Sequence, residues 1–197
     1  MLTQRTAQRH LVALSEELEA HHWNAGRSWY ADAHYYCAAL SQEFSVPLPA
    51  VVGALAVMSP QTEWNENKRA VRAVLATGSF SGQVYPANVK KALRLVAGER
   101  FEDVTGASRY GHKVRAFYDN ILRCDESEEV TVDTHAIRAA FNRADVPERE
   151  LRWVFESYTG YDTLRCAYQH VAQKLGARPL HFQAAIWLLT KERLSAA

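Results

Sequence analysis

Between Pro47 and Met58 every residue other than Pro47, Pro49 and Gly53 is Ala, Val, Leu or Met. The two prolines suit the first turn of a helix, and a helix apolar on all its faces has to be surrounded by protein. This segment therefore predicts a central helix with the rest of the chain wrapped around it. Ser59-Pro60 ends it, because proline lacks an N–H and disfavours helical geometry in the residue before it. No stretch alternates apolar and polar residues with period two over a useful length, so the surrounding elements are helices as well. The expected class is all-α, about ten short helices without repeats, linkers or low-complexity tracts. The 197 residues bury one sizeable core, as a single domain over 1–197 or as two closely packed helical lobes.

Taken in order, Leu11, Leu14 and Leu18 form one helical stripe, followed by the His21-His22-Trp23 cluster. Ser28 is read as the cap of an aromatic-rich helix in which Tyr30 and His34 lie one turn apart. Trp29, Tyr30 and His34 either wall a base pocket or belong to a core helix with a satisfied histidine. Thr62 restarts the chain after Pro60, with Trp64, Val71, Val74 and Leu75 on one face and Gly78 at the end. The junction exposes Gln61, which as a plain structural residue bonds the free carbonyls of the preceding helix end. Residues 79–87 read as a loop, Asn88 as a cap for Val89, Leu93 and Val96, Pro147 as the start of a helix, Asp162 as the cap of another, and Pro179 as the opening of the last.

The chemistry concentrates around Asp133. A β-branched stretch, Val130-Thr131-Val132, runs into Asp133, after which Ile137, Ala140 and Phe141 recur at helical spacing. That pattern makes Asp133 an N-cap, and capping together with the helix dipole favours an ionised carboxylate. Lys+Arg number 23 against 22 Asp+Glu, so a nucleic-acid partner needs a local patch. Arg109, His112, Lys113 and Arg115 supply one in outline, and the same run also reads as a solvated face. A helix starting near Gly111, with Lys113 and Arg115 beside it, suits an anion. Cys37, Cys124 and Cys166 are scattered, which offers neither a disulfide framework nor a clustered metal motif. No metal or cofactor is expected. With no long apolar run at the N-terminus, no signal peptide or membrane span is expected either, and the expected setting is cytoplasmic.

Four segments, in order, resemble those of the helix-hairpin-helix DNA glycosylases of the endonuclease III type: Val57-Met58-Ser59-Pro60-Gln61-Thr62, Gly111-His112-Lys113, Val132-Asp133-Thr134-His135 with Arg138, and Ala185-Ile186-Trp187-Leu188-Leu189. The resemblance covers about residues 48–191 and implies a helix-hairpin-helix bundle acting on duplex DNA or a modified nucleotide, as a monomer. It implies that Asp133 is catalytic, that Lys113 is a nucleophile in a lyase step, that Gln61 is the wedge filling the gap left by an extruded base, and that Arg109, Gly111, His112 and Arg115 contact DNA. His135 joins Trp29, Tyr30 and His34 at the base pocket. The chain departs from the family at the hairpin, where Gly106 and Gly111 are separated by Ala107-Ser108-Arg109-Tyr110 instead of by one residue. The iron–sulfur cluster of part of the family is expected to be absent, since no cysteine follows the closing helix. Base excision is the function implied. A base-hypermodifying enzyme of prokaryotic or phage type on the same scaffold, or a DNA-binding module without chemistry, are the alternatives.

Overall fold

The computed structural model describes residues 2–106 and 111–196. Among them the regular elements are helices: α1 (Gln4–Ser15), α2 (Ala20–Phe44), α3 (Leu48–Met58), α4 (Trp64–Thr77), α5 (Pro86–Val96), α6 (Phe101–Thr105), α7 (Gly111–Arg123), α8 (Thr134–Phe141), α9 (Glu148–Glu156), α10 (Tyr158–Lys174) and α11 (Pro179–Ala196), with a 3-10 turn at Cys124–Glu126. Among these residues no helix is long and apolar enough to cross a membrane.

As the sequence predicts, α3 is central, with every residue from Val51 to Met58 buried. Around it, α2, α4, α5, α6 and α7 contribute Tyr30, Cys37, Leu40, Val71, Leu95, Phe101 and Ile121 to one apolar core. A second core collects Leu11 and Leu14 of α1, Val130 and Val132, Ile137 of α8, Val154 of α9, Leu164 and Tyr168 of α10, and Phe182 and Ile186 of α11. Helix α11 belongs to both, since Leu180 and Ala184 enter the first core while Phe182, Ile186 and Leu189 enter the second.

The two cores meet along α2 and α11, which cross at Gly26. A Cβ added there would lie 2.8 Å from Ala185 N, 2.9 Å from Ala185 Cβ and 2.9 Å from His181 O. Only a residue without a side chain lets the two backbones come this close.

Several helix starts differ from the sequence reading, each for a local reason. Helix α2 begins at Ala20, not Ser28: Glu19 and His22 form a reciprocal cap, and the Ser28 hydroxyl merely bonds back to Ala25 O. Helix α5 begins at Pro86, whose fixed φ favours the first helical position, so Asn88 lies inside it. Ser157 caps α10, accepting from Gly160 N at 2.9 Å, and Asp162 sits within that helix paired with Arg165.

Candidate active site

Asp133 follows a buried stretch, Val130-Thr131-Val132, that two phenols hold in place. The Tyr161 hydroxyl donates to Val130 O at 2.9 Å and accepts from Val132 N–H at 3.2 Å. Thr131 Oγ1 accepts from Asn120 Nδ2 at 3.1 Å and lies 2.9 Å from the Tyr30 hydroxyl, which is 2.7 Å from Gln183 Oε1. A phenol has one proton and a carboxamide oxygen only accepts, so Tyr30 donates to Gln183 and receives from Thr131. Burial raises both phenols far above their usual range, which keeps them protonated. The result fixes the backbone immediately before Asp133.

Asp133 is the N-cap of α8, as its sequence context predicts, with Oδ1 accepting from Ala136 N at 2.8 Å. The cap uses Oδ1 alone. Asp133 is half-buried and borders a cavity of about 320 Å³ at the seam of the two cores. Lys113, in the first turn of α7, borders the same cavity, its Nζ donating to Ser59 Oγ at 3.3 Å and lying 5.8 Å from the centre of the Phe117 ring. Burial lowers its pKa, and the Asp133 charge opposes that shift. The nearest partners of Lys113 and Asp133 are thus Ser59 and the Ala136 amide, not each other.

Aromatic rings make the apolar wall. Trp29 packs 5.1 Å from Trp64, 5.8 Å from Phe117 and 6.0 Å from Trp187, between ring centres. His135 meets Trp187 edge-on at 6.0 Å. Its burial lowers its pKa, with Asp133 acting in the opposite direction, so the neutral ring is favoured near neutral pH. Lys191 lies 4.6 Å over Trp187 and 4.0 Å from Glu63, and these groups also border the cavity.

The turn joining α3 to α4 closes the perimeter. Gln61 holds a left-handed backbone at φ 56°, unusual for a residue other than glycine. Its side chain is exposed, and its Oε1 accepts from the Tyr85 hydroxyl instead of serving the carbonyls at the end of α3. Leu55 O, left free because Ser59 N turns to Ala56 O, receives Asn67 Nδ2 at 3.1 Å.

Of the residues singled out in the sequence, Trp29, Tyr30, Gln61, Lys113, Asp133 and His135 border this one cavity. His34 does not: it donates from Nδ1 to Ile121 O at 2.9 Å and ties α2 to α7. Arg109 lies outside the described residues. Gly111 is the buried first residue of α7, and the Arg115 guanidinium packs beside it and bonds Gly106 O. His112 is half-buried against the rings of Tyr158 and Tyr161, and its pKa is lowered by burial and by Arg115. Trp64, Asn67, Gln183 and Lys191 border the cavity without having been singled out for it. Asn67 carried a signal, a polar residue within the apolar stripe of Trp64, Val71 and Val74.

Among the described residues, His21, His22 and Glu192 bring metal-ligand types within 4.8 Å of one another. His22 already uses both nitrogens: Nδ1 accepts from Glu19 N at 3.1 Å and Nε2 donates to Glu192 at 2.9 Å. Ligation through Nε2 would leave the ring without a proton on either nitrogen unless the cap broke, so the cluster is explained by capping and ion pairing.

A family model, that of a family of unknown function named DUF7178, matches residues 1–194. No curated protein and no solved structure matches the chain.

Proposed function

The chain belongs to DUF7178, a family of unknown function, and for this member we propose a DNA base-excision activity in which a nucleotide extruded from duplex DNA enters the cavity and Asp133 assists cleavage of its N-glycosidic bond. The observation that carries this reading is the convergence of Asp133, Lys113 and a wall of tryptophans on one cavity from distant parts of the chain. A base within a duplex is out of reach of any side chain, so the nucleotide has to leave the stack, and flat aromatic walls suit a flat ring. Gln61, exposed on its left-handed turn beside the cavity and bonded there to the Tyr85 hydroxyl, is the residue that would fill the vacated gap in this reading.

Chemically, breaking the C1′–N bond sends the electron pair to the base and leaves positive charge on the sugar. A fixed carboxylate beside it stabilises that charge or activates the incoming nucleophile. The Ala136 N–H holds Asp133 by one oxygen, which leaves the other for the sugar or its nucleophile. Lys113 adds a second route. Burial favours its neutral amine, whose lone pair can form a bond to C1′ as the base departs; proton loss and ring opening then give a Schiff base.

A base-modifying enzyme on the same scaffold is favoured by the hairpin spacing, where four residues separate Gly106 from Gly111. The two readings part on the product: free base in one, a substituted base still on its sugar in the other. Incubating the protein with duplexes that each carry one damaged or modified base, and analysing for released base, tests the first. If no duplex in such a panel releases base with wild-type protein, the excision reading is wrong.

A further inference from the structure

Among the described residues, three buried side-chain polar atoms lack a hydrogen-bond partner: Asn67 Oδ1, His135 Nδ1 and Glu150 Oε2. The first two belong to side chains that border the one cavity, whereas Glu150 lies elsewhere, 4.0 Å from Arg143. Folded proteins leave few buried polar atoms unpaired, and each one calls for a partner from outside the chain or a structural reason. Asn67 is the more informative because its orientation is determined. It is 1% exposed, and its Nδ2 is committed to Leu55 O, a backbone carbonyl that can only accept. The unpartnered atom is therefore the carboxamide oxygen, an acceptor that demands a donor. His135 Nδ1 can take the same role, since a neutral imidazole has one acceptor nitrogen.

We propose that Asn67 determines specificity in this pocket, its Oδ1 accepting a hydrogen bond from an exocyclic amino group on the base that the cavity takes in. The proposal rests on the base-extrusion reading above. Between the two donor-bearing edges that bases offer, an amino group carries two N–H donors and a ring imide carries one. The amino group is therefore the richer donor for an acceptor such as Oδ1. Asn67 is then a binding residue, distinct from Asp133 and Lys113, which face the sugar chemistry. A base lacking the amino group leaves Oδ1 buried and unpaired, a penalty that translates into about tenfold to hundredfold weaker binding.

The experiment compares duplexes whose central nucleotide stands opposite an abasic site, so that extrusion costs little, in pairs that differ by the amino group alone: adenine against purine, and cytosine against 2-pyrimidinone. Affinity is read by fluorescence anisotropy. The expected result is a preference of about tenfold or more for the amino-bearing member of at least one pair. Asn67→Leu abolishes that preference. A purely structural Asn67, needed only for Leu55 O, would weaken both members equally in Asn67→Leu, and that outcome overturns the proposal. Should Asn67→Leu not fold, the wild-type comparison decides. Equal affinity within both pairs refutes the amino-group assignment, and if these duplexes are still bound more tightly than a fully paired one the extrusion reading survives. No gain from the abasic partner in any duplex removes the extrusion reading and this proposal together.

Discussion

Replacing Gly26 with alanine puts the packing of the cavity walls to a quantitative test. In an exposed helix interior this change stabilises by about 1 kcal/mol, because alanine is the better helix former. At Gly26 the new methyl would stand 2.8 Å from Ala185 N, 2.9 Å from Ala185 Cβ and 2.9 Å from His181 O. The carbon–carbon contact is roughly 0.6–1.1 Å inside optimal separation. Two of the three atoms are backbone, so no side-chain rotation relieves the clash and α2 has to move away from α11. Overpacking of this kind costs about 1–3 kcal/mol, and more where backbone has to shift. Net of the helix gain, Gly26→Ala should destabilise by up to about 2 kcal/mol, a fall in Tm of up to roughly 8 °C for a chain of this size. Function should suffer too, since Trp29 and Tyr30 on α2 and Gln183 and Trp187 on α11 wall the cavity on the two helices being forced apart. Thermal melts by circular dichroism at 222 nm, with tryptophan emission to follow the Trp29 cluster, provide the readout. A rise in Tm of the size given by helix propensity alone would falsify the close α2–α11 crossing.

Three further outcomes are expected. Asp133→Asn keeps an oxygen for the Ala136 N–H while removing the charge, so base release should fall at least a hundredfold with stability changed by no more than about 1 kcal/mol; unchanged release in single-turnover assays removes Asp133 from the chemistry. Burial lowers the pKa of His135, so between the ordinary value of about 6.5 and its lower folded value the unfolded chain binds more protons, and stability should rise with pH across that window. Denaturant titrations from about pH 5 to 7 should show this slope flattened in His135→Gln, and equal slopes contradict the burial argument. Gln61→Gly relieves a left-handed backbone and should be neutral or stabilising by up to about 1 kcal/mol, yet it should weaken binding to a duplex with a missing base; undiminished preference for that duplex means Gln61 is not a wedge.

The parts of the molecule legible in the sequence are those whose signal is local. Helix α3 announces itself through unbroken apolarity, and the Asp133 cap through one acidic residue between β-branched residues and a helical stripe. What escaped depends on contacts between distant segments. Ser28 has the chemistry of a cap, but the Glu19–His22 pair one turn and more upstream had already started the helix, and histidine is a rare partner in such a cap. His34 shares the aromatic density of Trp29 and Tyr30, but one helical turn is about 5.4 Å of rise, enough to carry it past the cavity to Ile121 O. Lys191 and Gln183 lie on the last helix, and nothing local in their surroundings shows that α11 returns to pack against α2. Asn67 looked like one polar residue in an apolar stripe. Its meaning appears only with Leu55 O on one side of its carboxamide and the cavity beside it.

The shared helix pair also has a consequence for timing. Ribosomes deliver a chain from its N-terminus, and early segments fold while later ones are still being made. The first core draws almost wholly on residues that precede Val130, so most of it can assemble early, with the groove at Gly26 open and Tyr30 without Gln183. Lys113 would exist then beside an unfinished cavity, and Asp133 would arrive before its second core had closed. Only when α11 emerges and seats Ala185 against Gly26 does the wall become complete. A chain stalled before α11 therefore carries Asp133 and Lys113 without the wall that Gln183, Ala184 and Trp187 supply to their cavity.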